Sequence, residues 1–147
     1  MANSHRRHTV LVADDEPEIL DLMRMLLEWE DYDVVETKDG EQCLTQARAI
    51  MPDLILSDVR MPKMTGLEVL EQLQADPELR GIPVIMLSVV TTLPQVRTAL
   101  QSGAVAYLPK PFEMREMARL VKQVLTRDVG GREVIRQQAL RELGIEL

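Results

Sequence analysis

The chain has 147 residues, 46% of them hydrophobic and 28% charged, which is enough for one globular domain with a sizeable core. Its single cysteine, Cys43, excludes an internal disulfide, and its apolar stretches are far shorter than the ~20 residues that cross a bilayer. The net charge of −7 argues against broad nucleic-acid binding, and the polar first eight residues contain no visible signal peptide, so we expect a cytoplasmic protein.

Short apolar runs alternate with segments of helical periodicity. The predicted strands are 9–13, 32–37, 54–58, 84–88 and 105–108. Five helices are predicted. Three have predicted bounds, at 16–30, 94–102 and 113–126. The second helix is marked by Cys43, Ala47 and Ile50 on one face, and the third by Leu67, Leu70 and Leu73. Pro94 suits a first helical turn, so that helix should start near Leu93 after a long 89–92 loop. Near-continuous apolar strands indicate an α/β fold whose parallel sheet has helices on both faces.

The two ends of the chain are predicted to lie outside this domain. Residues 1–8 are interpreted as a disordered N-terminus, in which His5 and His8 are solvated despite a metal-like spacing. The 9–127 region forms the domain, and 128–147 forms a linker plus a short helix. The sequence DVGG at the start of that tail predicts a flexible break. Ile135, Ala139 and Leu143 lie on one side of the short helix predicted after this break. Three roles stay open for that helix: a surface for a partner protein, a lid, or part of a linker that has been cut.

Polar residues follow four of the predicted strands. Asp14 and Asp15 follow the first strand, Asp58 ends the third, Ser88 ends the fourth and Lys110 comes shortly after the fifth. These ends converge on one edge of a parallel sheet, which is where ligands bind in such folds. Three neighbouring carboxylates favour Mg²⁺, and a lysine with a hydroxyl suits a phosphoryl group. A carboxylate can be the nucleophile of such a transfer, which would give an aspartyl phosphate.

These strand ends resemble the receiver domain of bacterial two-component response regulators, of the kind found in chemotaxis regulators. Further matching motifs are Met61-Pro62, Gly66 and the segment GAVAYLPKPF at 103–112. The resemblance covers about residues 9–126. It implies a flavodoxin-like, doubly wound, five-stranded sheet with strand order 2-1-3-4-5.

The resemblance also implies roles for the acidic residues. Asp58 would be the phosphoacceptor. Mg²⁺ would be held by Asp15, by Asp58 and by the main-chain carbonyl of Arg60, while Asp14 would act through water.

The resemblance further implies a switch. Lys110 would pair with the phosphoryl group or with Asp58, and the Lys110-Pro111 peptide bond would be cis. Ser88 would donate a hydrogen bond to a phosphoryl oxygen and draw its loop inward. Tyr107 would be the switch aromatic, although a strand tyrosine is often simple packing.

We interpret the protein as a signalling switch and not as an enzyme that acts on a metabolite. The phosphoryl donor would be a sensor histidine kinase or a histidine phosphotransfer protein. Output would be direct binding of a partner protein or would belong to an effector region missing after residue 127. We expect no nucleic-acid binding by this chain alone and no membrane association.

Three other functions are alternatives to this interpretation. The first is a receiver-like domain that is no longer phosphorylated and serves as a scaffold for other proteins. The presence of every residue type of the acceptor site argues against it. A Mg²⁺-dependent phosphatase of the haloacid dehalogenase type would need an Asp-x-Asp motif, but Asp14 and Asp15 are adjacent. A flavodoxin-like cofactor module would need a Ser/Thr/Gly-rich loop after the first strand, where this chain has Asp-Asp-Glu-Pro.

Three positions depart from the family pattern. Val89 stands where Ala or Gly is more common, which should narrow access to the phosphoryl group and slow its transfer or hydrolysis. Arg60 could lean over the site. Val105 and Ala106 replace acidic residues frequent in DNA-binding members, so the face formed by the fourth helix, the fifth strand and the fifth helix is expected to be more apolar. That weakens the case for the charged dimer of those members. The change favours a different partner surface, including Arg97, Arg115 and Arg119.

Overall fold

The computed structural model describes residues 7–145 and contains one five-stranded parallel sheet. The strands are β1 (Thr9–Ala13), β2 (Asp33–Thr37), β3 (Leu54–Asp58), β4 (Val84–Ser88) and β5 (Ala106–Pro109). Their spatial order is β2-β1-β3-β4-β5, which confirms the predicted doubly wound topology. The predicted disorder of residues 1–6 and the interpretation of His5 lie outside the described residues.

Six helices surround this sheet within residues 7–145. They are α1 (Pro17–Trp29), α2 (Gly40–Ile50), α3 (Gly66–Ala75), α4 (Leu93–Gln101), α5 (Met114–Thr126) and α6 (Val129–Glu142). None of these helices is long and apolar enough to cross a membrane.

β1, β3 and β4 are buried on both faces along almost all of their length, as their continuous apolar sequences predict, whereas the edge strands β2 and β5 are partly exposed. Leu11 and Ile55 point into a core cluster shared with α2, α3 and α4, whereas Val10 and Leu54 point into a second cluster shared with α1 and α5. Helices therefore cover both faces of the sheet. The carboxyl ends of all five strands lie on one edge because the strands are parallel.

Two predicted connections are more ordered than expected. The predicted 89–92 loop contains a 3₁₀ turn at Val90–Thr92, in which the Thr92 hydroxyl accepts a hydrogen bond from the Val89 N–H and donates one to the Val89 carbonyl. The predicted flexible break at 128–131 is the start of α6. Its first turn tolerates two glycines because the Asp128 carboxylate accepts a hydrogen bond from the Gly131 N–H at 2.8 Å.

Gly66 is the first residue of α3 and lies against the main chain at the end of β3. Its N–H donates to the Val59 carbonyl at 2.8 Å, and a Cβ at this position would overlap the main-chain oxygen of Asp58. The residue must therefore be glycine for the chain after Asp58 to turn back so closely.

We predict that Gly66→Ala destabilises the protein by about 1–3 kcal/mol because the backbone at Asp58 must move to admit the methyl group. Urea unfolding measures this change. Gly81→Ala is the matched control, since a Cβ at Gly81 meets nothing within 4 Å. Equal stability of the two variants would contradict the steric account.

Candidate functional site

A buried lysine connects the ends of β1, β3 and β5. Lys110 Nζ lies 2.6 Å from Asp14 Oδ2 and 3.1 Å from Asp58 Oδ2, and it is 3.6 Å from Glu16 Oε1. The Lys110 N–H also donates to the Ser88 carbonyl at 2.6 Å. Lys110, which directly follows β5, therefore connects the carboxyl ends of β1, β3 and β4.

Burial controls the electrostatics of this group. The Asp14 side chain is fully buried, and those of Asp58 and Lys110 are 13% and 9% exposed. Burial, followed by the negative charge of Asp14, raises the pKa of the Asp58 carboxyl, while Lys110 lowers it less. Burial lowers the pKa of Lys110, but its hydrogen bond to Asp14 and the charge of Asp58 raise it overall. Lys110 therefore stays an ammonium group at neutral pH.

Three carboxylates at this edge could hold a cation. Asp14, Glu16 and Asp58 each place one carboxylate oxygen within 4.8 Å of the others. The second Asp14 oxygen accepts a hydrogen bond from the Glu16 N–H at 2.9 Å, which turns the Glu16 main chain toward the cluster. Oxygen donors at this spacing are compatible with a hard divalent cation.

The sequence analysis missed Glu16 and placed Asp15 in the metal site. The Asp15 side chain is exposed and does not belong to the three-carboxylate cluster. Arg60 lies beside the site, since its N–H donates to Asp58 Oδ1 at 3.4 Å, and its side chain is exposed. The signal for Glu16 was its position directly after the acidic pair, where a short turn can return it to the strand end.

Ser88 supplies an unused donor. The residue is 1% exposed, and its hydroxyl has no hydrogen-bond partner among residues 7–145. A buried hydroxyl without a partner costs about 1–3 kcal/mol. Because Ser88 ends β4, next to the Asp58 end of β3, this hydroxyl is available to a ligand bound at the same edge.

Val89 and Tyr107 lie outside the three-carboxylate cluster. Val89 follows Ser88 and is 43% exposed, so its side chain lies at the rim of the site. Tyr107 is partly buried in β5. Tyr107 and Glu142 of α6 line the same pocket, and burial, followed by the charge of Glu142, raises the pKa of the Tyr107 phenol.

One expectation about the partner surface is corrected. Val105 and Ala106 are 4% and 3% exposed, so they belong to the core and contribute no apolar partner surface. The Arg97 guanidinium donates to the Leu143 carbonyl of α6 at 3.0 Å, so it is engaged within the chain. Arg115 and Arg119 are exposed on α5, as expected.

Comparisons with known proteins agree with this geometry. The family model for the response regulator receiver domain matches residues 10–122. The chain is 37% identical over 122 residues to the DNA-binding response regulator MtrA of Mycolicibacterium smegmatis, which covers 83% of this chain and 52% of that protein. It is 40% identical over 121 residues to the DNA-binding dual master transcriptional regulator RpaA of Synechocystis sp., covering 80% of this chain and 49% of that protein.

A solved structure gives the same result. The chemotaxis response regulator CheY4 of Vibrio cholerae matches with a TM-score of 0.74 at 29% identity, covering 81% of this chain and 99% of that chain. The chain spans about half the length of the curated relatives that it matches. Because the family model matches well over half of its residues, the chain belongs to the receiver domains of two-component response regulators.

Proposed function

We propose that Asp58 accepts a phosphoryl group in a Mg²⁺-dependent reaction and that this modification switches a partner-binding surface. The observation that carries the proposal is the position of Lys110, whose ammonium group contacts both Asp14 and Asp58 at the sheet edge. The unpartnered, buried hydroxyl of Ser88 supports it independently, because it leaves a donor for a phosphoryl oxygen.

The transfer requires a nucleophile and neutralisation of charge. An Asp58 carboxylate oxygen attacks phosphorus, the phosphorus–nitrogen bond of a phosphohistidine donor breaks, and the imidazole leaves with that electron pair. Lys110 neutralises negative charge on the phosphoryl oxygens, and the Ser88 hydroxyl donates to one of them. Mg²⁺, when bound at these carboxylates, supplies further charge neutralisation. The reaction turns over no metabolite, so the protein acts as a switch and not as a metabolic enzyme.

The proposed metal ligands are Asp15, Asp58 and the Arg60 carbonyl, with Asp14 acting through water. The acidic cluster that includes Glu16 supports a cation at this edge. The cluster contains Glu16 and not Asp15, so the choice of Asp15 as the direct ligand is supported by the match to the receiver family alone. In this proposal Glu16 is an outer carboxylate.

The proposed donor is a sensor histidine kinase or a histidine phosphotransfer protein, as is usual for receiver domains. The names of MtrA and RpaA describe DNA-binding proteins, and the match covers only 52% and 49% of their lengths. DNA binding therefore belongs to those proteins, and we propose a protein partner or a separate effector region for this one. A cytoplasmic location remains part of the proposal.

We predict that acetyl phosphate with Mg²⁺ adds one phosphoryl group to the wild-type chain and none to Asp58→Asn. Intact mass spectrometry measures the adduct. Asp21→Asn is the control, because the Asp21 side chain is 64% exposed and, among residues 7–145, forms its ion pair with Arg24 on α1. An adduct on Asp58→Asn would contradict the proposal by showing another acceptor. No adduct on folded, Mg²⁺-bound wild-type protein with either acetyl phosphate or a phosphohistidine protein would contradict it and favour the scaffold function.

We predict that Asp15→Asn weakens Mg²⁺ binding at least tenfold, whereas Glu16→Gln weakens it only a few-fold, because a direct ligand contributes more than an outer carboxylate. Isothermal titration calorimetry with Mg²⁺ alone measures both variants. If Glu16→Gln has the larger effect, the direct ligands are the three carboxylates that the structure groups together.

We predict that Val89→Ala speeds phosphorylation by acetyl phosphate and hydrolysis of the adduct by on the order of threefold, because a smaller rim residue opens the approach to Asp58. Time courses of intact mass measure both rates. Val90→Ala is the control, since Val90 is 80% exposed. Unchanged rates in Val89→Ala would exclude steric control by this residue.

A further inference from the structure

The last helix, α6, lies outside the part of the chain that matches the family model, which ends at residue 122. It packs against α4 and β5. Ala139 and Leu140 are 7% and 2% exposed, and they belong to the same core cluster as Leu100 of α4. Leu143 and Ile145 pack against the edge of that cluster. The surface of α4 and β5 that α6 covers is called here the α4–β5 face.

Two arginines hold α4 and α6 together in a reciprocal way. Arg136 of α6 donates to the Leu100 carbonyl near the end of α4 at 2.5 Å, and Arg97 of α4 donates to the Leu143 carbonyl just after α6 at 3.0 Å. The two helices therefore run antiparallel. The carbonyl end of a helix carries partial negative charge and unpaired acceptors, so each cation stabilises the end of the other helix.

The first half of α6 is less buried than its end. Arg132 there donates to the Val124 carbonyl of α5 at 2.9 Å, and Ile135 packs against the second core cluster. Of its residues, Ala139 and Leu140 are buried, while Val129 and Val134 are 80% and 60% exposed. Two glycines in the first turn lower its helix propensity. Because an isolated helix of this length is marginal in water, α6 depends on its docking and would lose helical structure if it undocked.

The docking partners of α6 are connected to the proposed phosphorylation site. The chain passes from Ser88 through the Val90–Thr92 turn directly into α4, which carries Arg97. Tyr107 lies in β5 beside Glu142 of α6, three residues before Lys110. A ligand that drew the Ser88 hydroxyl toward Asp58 would therefore pull on the segment that leads into α4.

We propose that α6 is an intramolecular cover that occupies the α4–β5 face while Asp58 is unphosphorylated and leaves it when Asp58 is phosphorylated. The proposal rests on the phosphoacceptor function proposed above. The shift of the Ser88 segment moves α4 and separates the two arginine contacts, after which α6 unfolds and the α4–β5 face becomes available to a partner. By linkage, undocking of α6 favours phosphorylation by the same factor by which phosphorylation favours undocking.

Hydrogen exchange of the full chain tests release directly. The protein is incubated with acetyl phosphate and Mg²⁺, and the phosphorylated fraction is determined by intact mass in the same sample. We expect the amides of 129–145 to exchange at least tenfold faster in the phosphorylated protein, while those of β1 and β3 remain protected. Full phosphorylation with unchanged exchange in 129–145 would overturn the inference alone. Absence of any adduct would overturn the proposed function and this inference with it.

A point variant tests the coupling without phosphorylation. Arg97→Ala removes one of the two reciprocal contacts on an exposed position, so the domain should remain folded. We expect exchange in 129–145 to become roughly fivefold faster, and phosphorylation at limiting acetyl phosphate to become more favourable by up to the same factor. Arg48→Ala is the charge-matched control on α2, where the arginine is exposed. Faster exchange in Arg97→Ala with unchanged phosphorylation would overturn the coupling.

Discussion

The site depends on one buried ammonium group. Lys110 neutralises Asp14, which is fully buried, and Asp58, which is nearly so, and without it two carboxylates would face each other at the end of the sheet. Removing one partner of a buried ion pair costs about 3–5 kcal/mol. The same contact joins β5 to β1 and β3, so the residue that permits the acidic cluster also holds the edge of the sheet on which the cluster is built.

That arrangement favours an additional anion together with a cation. Burial raises the pKa of the Asp58 carboxyl because it disfavours the ionised form, and a cation bound beside Asp58 would stabilise that form. The Ser88 hydroxyl is buried without a partner, and Lys110 is already positioned to contact a new negative group on Asp58. A phosphoryl group would satisfy both donors. The free energy of its contacts is then available to shift the segment after Ser88 and to change the surface beyond it.

Much of the fold could be predicted from the sequence because its strands are continuous apolar runs that end in polar residues. β1, β3 and β4 have the predicted bounds, while the strand order followed from the resemblance to a family. The features that the sequence did not predict depend on contacts between residues far apart in the chain and on local capping. Asp128 and the docking of Leu140 fixed α6 where two glycines predicted a break, and burial of Val105 removed it from the expected partner surface.

The candidate site was predictable in its residue types and less so in its geometry. The strand ends identified Asp14, Asp58 and Lys110 because parallel strands must end on the same edge. The sequence could not indicate that Glu16 approaches the cluster while Asp15 faces solvent, because that choice depends on one turn closed by an Asp14 carboxylate oxygen.

The most direct test of the account is to locate the phosphoryl group chemically. Borohydride reduces an aspartyl phosphate at its carbonyl carbon, so the modified residue can be identified by peptide mass mapping after treatment of the phosphorylated chain. The account predicts one modified residue, Asp58. Modification of Asp14, Asp15 or Glu16 instead, or a phosphoryl group on Ser88 that resists reduction, would contradict it.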